Sequence, residues 1–172
     1  MRYMMRQKLL TLNADYTVKD ATGRDVFFIA GKTFTTHDQM AFQDMQGNEL
    51  CVIRKKLLQW GPTYEIYHAG QLEAVVKESL FTLLGHRFTV DDQFGPDDLE
   101  VKGNFTDHQY AFTRGGQTVA SVSESWFTIA DTYGVDIADG QDDVLILACT
   151  VVIDRCEQAA RHREGAGRWG NV

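Results

Sequence analysis

The sequence predicts a mainly β domain: a closed, mainly antiparallel barrel of about twelve strands around one C-terminal hydrophobic helix. Three observations carry this. From Tyr3 to Ile137 short segments of alternating apolar and polar residues are separated by Gly-bearing turns, the pattern of half-buried strands joined in hairpins. No helical stripe long enough for a crossover stands before residue 140, so the sheet has to be antiparallel, and so many sequential strands favour closure. Finally Val144-Leu-Ile-Leu-Ala-Cys-Thr-Val-Val-Ile153 holds ten residues without a charge, apolar on every face of a helix and therefore in need of surroundings.

Taken in order, strands are expected near 3–10, 15–20, 25–30, 40–43, 50–56, 63–68, 72–79, 86–90, 98–103, 110–114, 118–124 and 132–137. The turns Asp20-Ala-Thr-Gly-Arg-Asp25, Asp44-Met-Gln-Gly-Asn48, His68-Ala-Gly-Gln71 and Arg114-Gly-Gly-Gln117 each supply a glycine for positive φ. Between them Tyr64 and Ile66 share a face, as do Leu72, Ala74 and Val76, and Leu99 and Val101, with Glu100 and Lys102 opposite. A faint repeat runs through Lys8-Leu-Leu-Thr-Leu12, Lys56-Leu-Leu-Gln-Trp60, Ser79-Leu-Phe-Thr-Leu83 and Ser125-Trp-Phe-Thr-Ile129. It reads either as a reused two-strand unit or as the shared composition of similar strands.

The apolar run is rich in β-branched residues, which suits a strand. A strand buried on both faces belongs in a parallel sheet, however, and the hairpins build none. The acids Asp139, Asp142 and Asp143 before it and Arg155, Arg161 and Arg163 after it suit the helix dipole, so a core helix is expected from about 141 to 161. It would fill a lumen that twelve strands leave too wide for their own side chains. The domain is expected to span 1–163, with 164–172 a flexible Gly-rich tail.

At 172 residues the chain suits one domain, and 44% apolar with 24% charged residues is typical of a soluble one. A net charge of -7 argues against nucleic acid as a partner. Cys51, Cys149 and Cys156 are odd in number and lack metal-binding spacing, which suits a reducing interior. The start of the chain builds no apolar signal core, and no run approaches the ~18–20 apolar residues that span a bilayer, so a cytoplasmic location without a transmembrane span is expected.

Several stretches resemble bacterial members of the LURP-one-related family, whose fold is that of the tubby C-terminal domain. They are Met1-Arg-Tyr3 with Gln7-Lys-Leu-Leu10, Asp20-x-x-Gly-Arg-Asp-Val26, Phe42-Gln-Asp-Met45, Gly61-Pro-Thr-Tyr-Glu-Ile-Tyr67, Gly95-Pro-Asp-Asp-Leu-Glu100, Phe112-Thr-Arg-Gly-Gly116 and Asp131-Thr-Tyr-Gly-Val135 with Asp142–Ala148. The resemblance covers residues 1 to about 155 and implies a twelve-stranded barrel around a hydrophobic helix. More loosely, Tyr133-Gly-Val135 and Ile153-Asp154 are similar to the end of phospholipid scramblases. The tubby likeness implies a phosphoinositide ligand and the scramblase likeness lipids with calcium, while the bacterial family members imply no settled activity.

The residues themselves offer few sites. His37, His68, His86, His108 and His162 make no zinc spacing with the cysteines, and Asp107-His108, as strand neighbours, point apart. Asp91-Asp92 with Asp97-Asp98-Glu100, and Asp131, Asp136, Asp139, Asp142 and Asp143, are acidic clusters without calcium-loop spacing; helix-start acids explain the second better. Arg54-Lys-Lys56 is where an anionic lipid head group would bind, with Arg54 and Lys56 on one face and Lys55 on the other. Trp60 and Trp126 read as packing residues. No catalytic set and no cofactor motif stands out. The reading is a non-catalytic binding or scaffold module whose ligand is a phospholipid or phosphoinositide head group or a protein partner. A scramblase-like lipid-handling protein is the alternative, and an enzyme the third.

Overall fold

The computed structural model describes residues 1–8, 15–31, 39–56, 61–79, 87–124 and 132–167. Twelve strands follow one another: β1 (Arg2–Lys8), β2 (Asp15–Asp20), β3 (Asp25–Gly31), β4 (Gln39–Asp44), β5 (Glu49–Lys55) and β6 (Thr63–His68). They continue as β7 (Gln71–Ser79), β8 (Arg87–Asp92), β9 (Leu99–Asn104), β10 (Gln109–Arg114), β11 (Gln117–Ser123) and β12 (Thr132–Ile137). The helix α1 (Asp143–Gly167) ends the described chain. Each strand pairs antiparallel with the next, and β1 closes the ring by pairing with β12, Tyr3 opposite Val135. Closure leaves no sheet edge to be covered.

Alternation decides what faces the lumen. Met5, Tyr16, Val18, Ile29, Met40, Phe42, Ile53, Ile66, Val76, Phe88, Val90, Val101 and Phe112 all turn inward and are buried. The helix meets them with Leu145 through Asp154, ten consecutive buried residues. An element buried on every side is what an all-round apolar sequence requires. Each fully buried Leu, Ile or Val contributes about 1.5–3 kcal/mol. The start is fixed by Asp142, whose Oδ1 accepts the Leu145 amide at 2.9 Å as an N-cap, and by the Tyr3 hydroxyl, which donates to Asp143 at 2.6 Å. The N-terminal ammonium donates to the Ile137 carbonyl at the same end.

One expectation needs correction at the helix. It runs to Gly167, so the first four residues of the expected tail are helical, and its last turn holds no base. Residues 168–172 lie outside the described residues. Asp154, the residue after the apolar run, is only 4% exposed and sits inside the barrel, where Tyr16 and His108 satisfy its carboxylate.

The helix direction gives the barrel two different ends. At the end where α1 enters, the connections are short, and all of them are described, from residues 21–24 to residues 138–142. At the exit end the turn between β9 and β10 is described, whereas residues 9–14, 32–38, 57–60, 80–86 and 125–131 are outside the described residues. The recurring apolar segments therefore fall largely outside them, as do Trp60, Trp126, His37, His86 and Asp131.

Four of the entry-end hairpins carry a bulge. The register skips Val26 between β2 and β3, Leu50 between β4 and β5, Glu73 between β6 and β7, and Val119 between β10 and β11. A bulge re-aims the residue it contains and breaks the period of two.

Candidate binding surfaces

The cations singled out by sequence, Arg54 and Lys56, do share the outer face, both exposed, while Lys55 lies on the other side and is half-buried. The sheet register sets Arg54 opposite Glu65 on β6. Its guanidinium carbon lies 4.6 Å above the Tyr67 ring, a cation–π stack. Lys56 Nζ is 2.7 Å from Glu65 Oε1, and the Tyr67 hydroxyl donates to Glu65 Oε2 at 2.9 Å. The hydrogen bond from Lys56 holds the Glu65 carboxyl below its ordinary pKa, and the same bond raises that of Lys56. One carboxylate thus answers two cations. The strip keeps one formal positive charge, and the Lys56 ammonium is occupied. Sequence reasoning found the two cations by period but not Glu65 and Tyr67, because cross-strand neighbours depend on register.

Inside the barrel a polar cluster gathers around Asp154 near the exit end. The Tyr16 hydroxyl donates to Asp154 Oδ2 at 2.6 Å and the Gln158 amide to the same oxygen at 2.8 Å. His108 Nε2 lies 3.2 Å from Oδ1. The His108 ring stacks on Tyr133 with centroids 4.4 Å apart. His108 is not on a strand: it occupies the β9–β10 turn at φ 47°, a left-handed conformation that a non-glycine residue adopts only when its surroundings hold it there. Its carboxylate partner is Asp154, on the helix, and not the neighbouring Asp107. Burial, then the charge of Asp154, pushes the Tyr16 and Tyr133 hydroxyls well above their ordinary pKa. The Tyr133 hydroxyl and His108 Nδ1 are buried without a hydrogen-bond partner.

The helix-entry end differs from both. Its turns are acidic, and Met1, Met45 and Phe94 stand there 67%, 51% and 68% exposed. The loop carrying Phe94 is firmly built. Asp92 Oδ1 accepts the amides of Phe94 and Gly95 at 3.2 and 2.8 Å, while Arg114 Nη2 donates to Asp92 Oδ2 at 2.8 Å. A Cβ on Gly95 would come within 2.1 Å of Asp92 Oδ2 and 2.5 Å of Arg114 Nη1, so those side chains would have to shift. The acids that sequence grouped are thus divided among local tasks. Asp92 organises its loop, Asp142 caps α1, Asp143 receives Tyr3, and Asp136 pairs with Arg2 at 2.6 Å. Among the described residues no three His, Cys, Asp or Glu gather in a geometry for a metal ion. His68 and His162 are exposed. No helix of the described residues is long and apolar enough to cross a membrane.

A family model described as LURP-one-related matches residues 1–154. Among individual proteins, "Uncharacterized protein YxjI" of Bacillus subtilis (strain 168) is 25% identical over 150 residues, covering 87% of this chain and 90% of its own length. An X-ray structure of a protein from Arabidopsis thaliana shares the fold, with a TM-score of 0.64 and 16% identity over 90% of each chain.

Proposed function

The chain belongs to the LURP-one-related family, and we propose that its barrel is a non-catalytic binding module that meets a protein partner at the helix-entry end. One observation carries this reading. The lumen is filled by the chain's own helix, and among the described residues the large apolar side chains that remain exposed, Met1, Met45 and Phe94, all stand on the rim of that end. Aromatic side chains and methionine are enriched in protein interfaces. The rigid backing of the Phe94 loop limits the ordering cost of binding. Three buried free thiols support an intracellular, cytoplasmic setting.

An anionic phospholipid head group is the second reading, favoured by the exposed Arg54 guanidinium on the outer face. It is weaker, because Glu65 already holds Lys56 and head-group capture depends on several free cations. The two readings separate in one experiment. The intact chain and a Met45→Asp, Phe94→Asp variant are used for affinity capture, and both are floated with phosphatidylserine or phosphoinositide vesicles at low salt. A partner held by the wild type and lost by the variant, with no flotation, supports the module. Flotation abolished by Arg54→Ala supports the lipid reading and sinks the first.

A further inference from the structure

Four hairpins of the barrel share one construction at the helix-entry end. A glycine at positive φ closes each turn (Gly23, Gly47, Gly70 and Gly116), and three residues later comes the bulge residue that the register skips. In three of the four it is apolar: Val26 and Leu50 pack against the core, and Val119 is part of it. In the fourth, between β6 and β7, it is Glu73. The bulge breaks alternation so that Glu73 and Ala74 are buried in succession, and a carboxylate stands where its counterparts have a hydrocarbon.

Glu73 is 8% exposed, and no hydrogen bond or ion pair to its carboxylate occurs among the described residues. Burial, then Asp142, then to a lesser degree Asp92, raise its pKa, and His68 opposes them. Glu73 stands just after the β6–β7 turn, at the end of the barrel where α1 starts. Burial disfavours the charged form of this carboxylate even though its oxygens reach water at the rim, and this fold has an apolar solution at the three equivalent positions. Glu73 therefore answers to something other than stability.

We propose that Glu73 anchors a binding site for a lysine or arginine side chain from a basic, partly apolar segment of a protein partner. The surroundings fit such an occupant. Asp142 adds negative charge, and the β8 side of the site is fixed by the Gln93 amide, which donates to the Glu73 carbonyl at 2.8 Å. Phe94 follows directly, exposed and rigidly presented, beside the point where the cation would enter. Asp92 is not available for the role, because Arg114 holds it. The inference rests on reading the chain as a module that binds at this end.

The test uses the intact chain and a fluorescein-labelled peptide of alternating lysine and leucine, at physiological salt, with a glutamate–leucine peptide as control. Binding is followed by anisotropy for the wild type, Glu73→Gln, Phe94→Ser and Glu100→Gln; Glu100 is an outer-face acid with Lys102 as its partner. Loss of one charge-assisted hydrogen bond should weaken binding about tenfold or more for Glu73→Gln, and Glu100→Gln should change it less than about twofold. Phe94→Ser should weaken it independently. Absent binding by the wild type, or equal loss from Glu73→Gln and Glu100→Gln, overturns the Glu73 site by showing only a diffuse acidic field. The broader module reading fails separately, through the capture experiment with the Met45→Asp, Phe94→Asp variant.

Discussion

Two buried carboxylates with opposite circumstances define the residue scale. Asp154 has three neighbours aimed at it, Tyr16, Gln158 and His108, so its removal would orphan them all. Asp154→Ala should therefore cost about 3–5 kcal/mol, the range for breaking a buried polar pair from one side. Urea unfolding measures this, and a loss below about 1 kcal/mol would show that the cluster finds other partners. Glu73 has no such neighbours, and its pKa is raised in the fold, chiefly by burial. A carboxyl with a raised folded pKa stabilises fully below its unfolded value of about 4.3, and that contribution fades as pH rises through the folded value. Glu73→Gln should thus be more stable than the wild type at neutral pH, with the difference shrinking toward pH 4. A melting-temperature series across that window would refute this if the gap were constant or reversed. Neither role was legible by pattern. Asp154 looks like the polar stop of an apolar run, because linear sequence hides the tyrosine of β2 and the histidine of the β9–β10 turn that folding brings to it. Glu73 looks like an outward residue between Leu72 and Ala74, because a period of two cannot register a one-residue bulge. A signal did exist: the residue three after a turn glycine is Val26, Leu50 and Val119 elsewhere, and Glu73 breaks that series.

Hairpins and helix behave differently as elements. The hairpins were legible because each combines alternation with a glycine turn, and two are reinforced by an aspartate three residues ahead of the glycine. Asp20 Oδ1 accepts the Thr22 and Arg24 amides, and Asp44 Oδ1 the Gln46 and Asn48 amides. The Thr22 hydroxyl on Asp20 and the Asn48 side-chain amide on Asp44, and then these backbone bonds, hold both carboxyls below their ordinary pKa. The Phe94 loop uses the same spacing, with Asp92 three residues ahead of Gly95, and adds a glycine whose Cβ would press on the Asp92 and Arg114 side chains. Gly95→Ala should displace Asp92 from Arg114 and free the loop. The expected result is faster amide exchange at Phe94 and Gly95 with little change across β8 and β9; unchanged exchange would show that the loop absorbs the methyl. The helix was legible from hydrophobicity, its far end was not, since Glu164 to Gly167 carries no apolar stripe yet continues the same helix. At its centre Leu147 is wholly buried. Leu147→Asp should abolish folding, because an unpaired buried charge costs several kcal/mol against a total of ~5–15. A soluble variant with unchanged melting would remove the helix from the core.

At the scale of the whole molecule, wall and plug are one folding problem. A twelve-stranded ring is wider than its inward side chains can fill, so the wall has no compact state of its own. The helix alone is equally unable to stand, with ten consecutive residues that water would solvate poorly. Closure adds a third condition: β1 must wait for β12, since their pairing joins residues 2–6 to residues 132–136. Long-range pairings of this kind make folding slow and leave intermediates with open edges. A chain ending at Gly140 should therefore be insoluble or lack cooperative unfolding, even though every strand is present. Supplying residues 141–163 as a separate co-expressed segment should restore a soluble complex, because the Asp142 cap, the apolar face and Asp154 with its wall partners Tyr16 and His108 are all regained. Cooperative melting of the truncated chain without the segment would mean that the wall packs on itself. The helix would then be an accessory, and the filled lumen, from which binding at the entry end was argued, would lose its force.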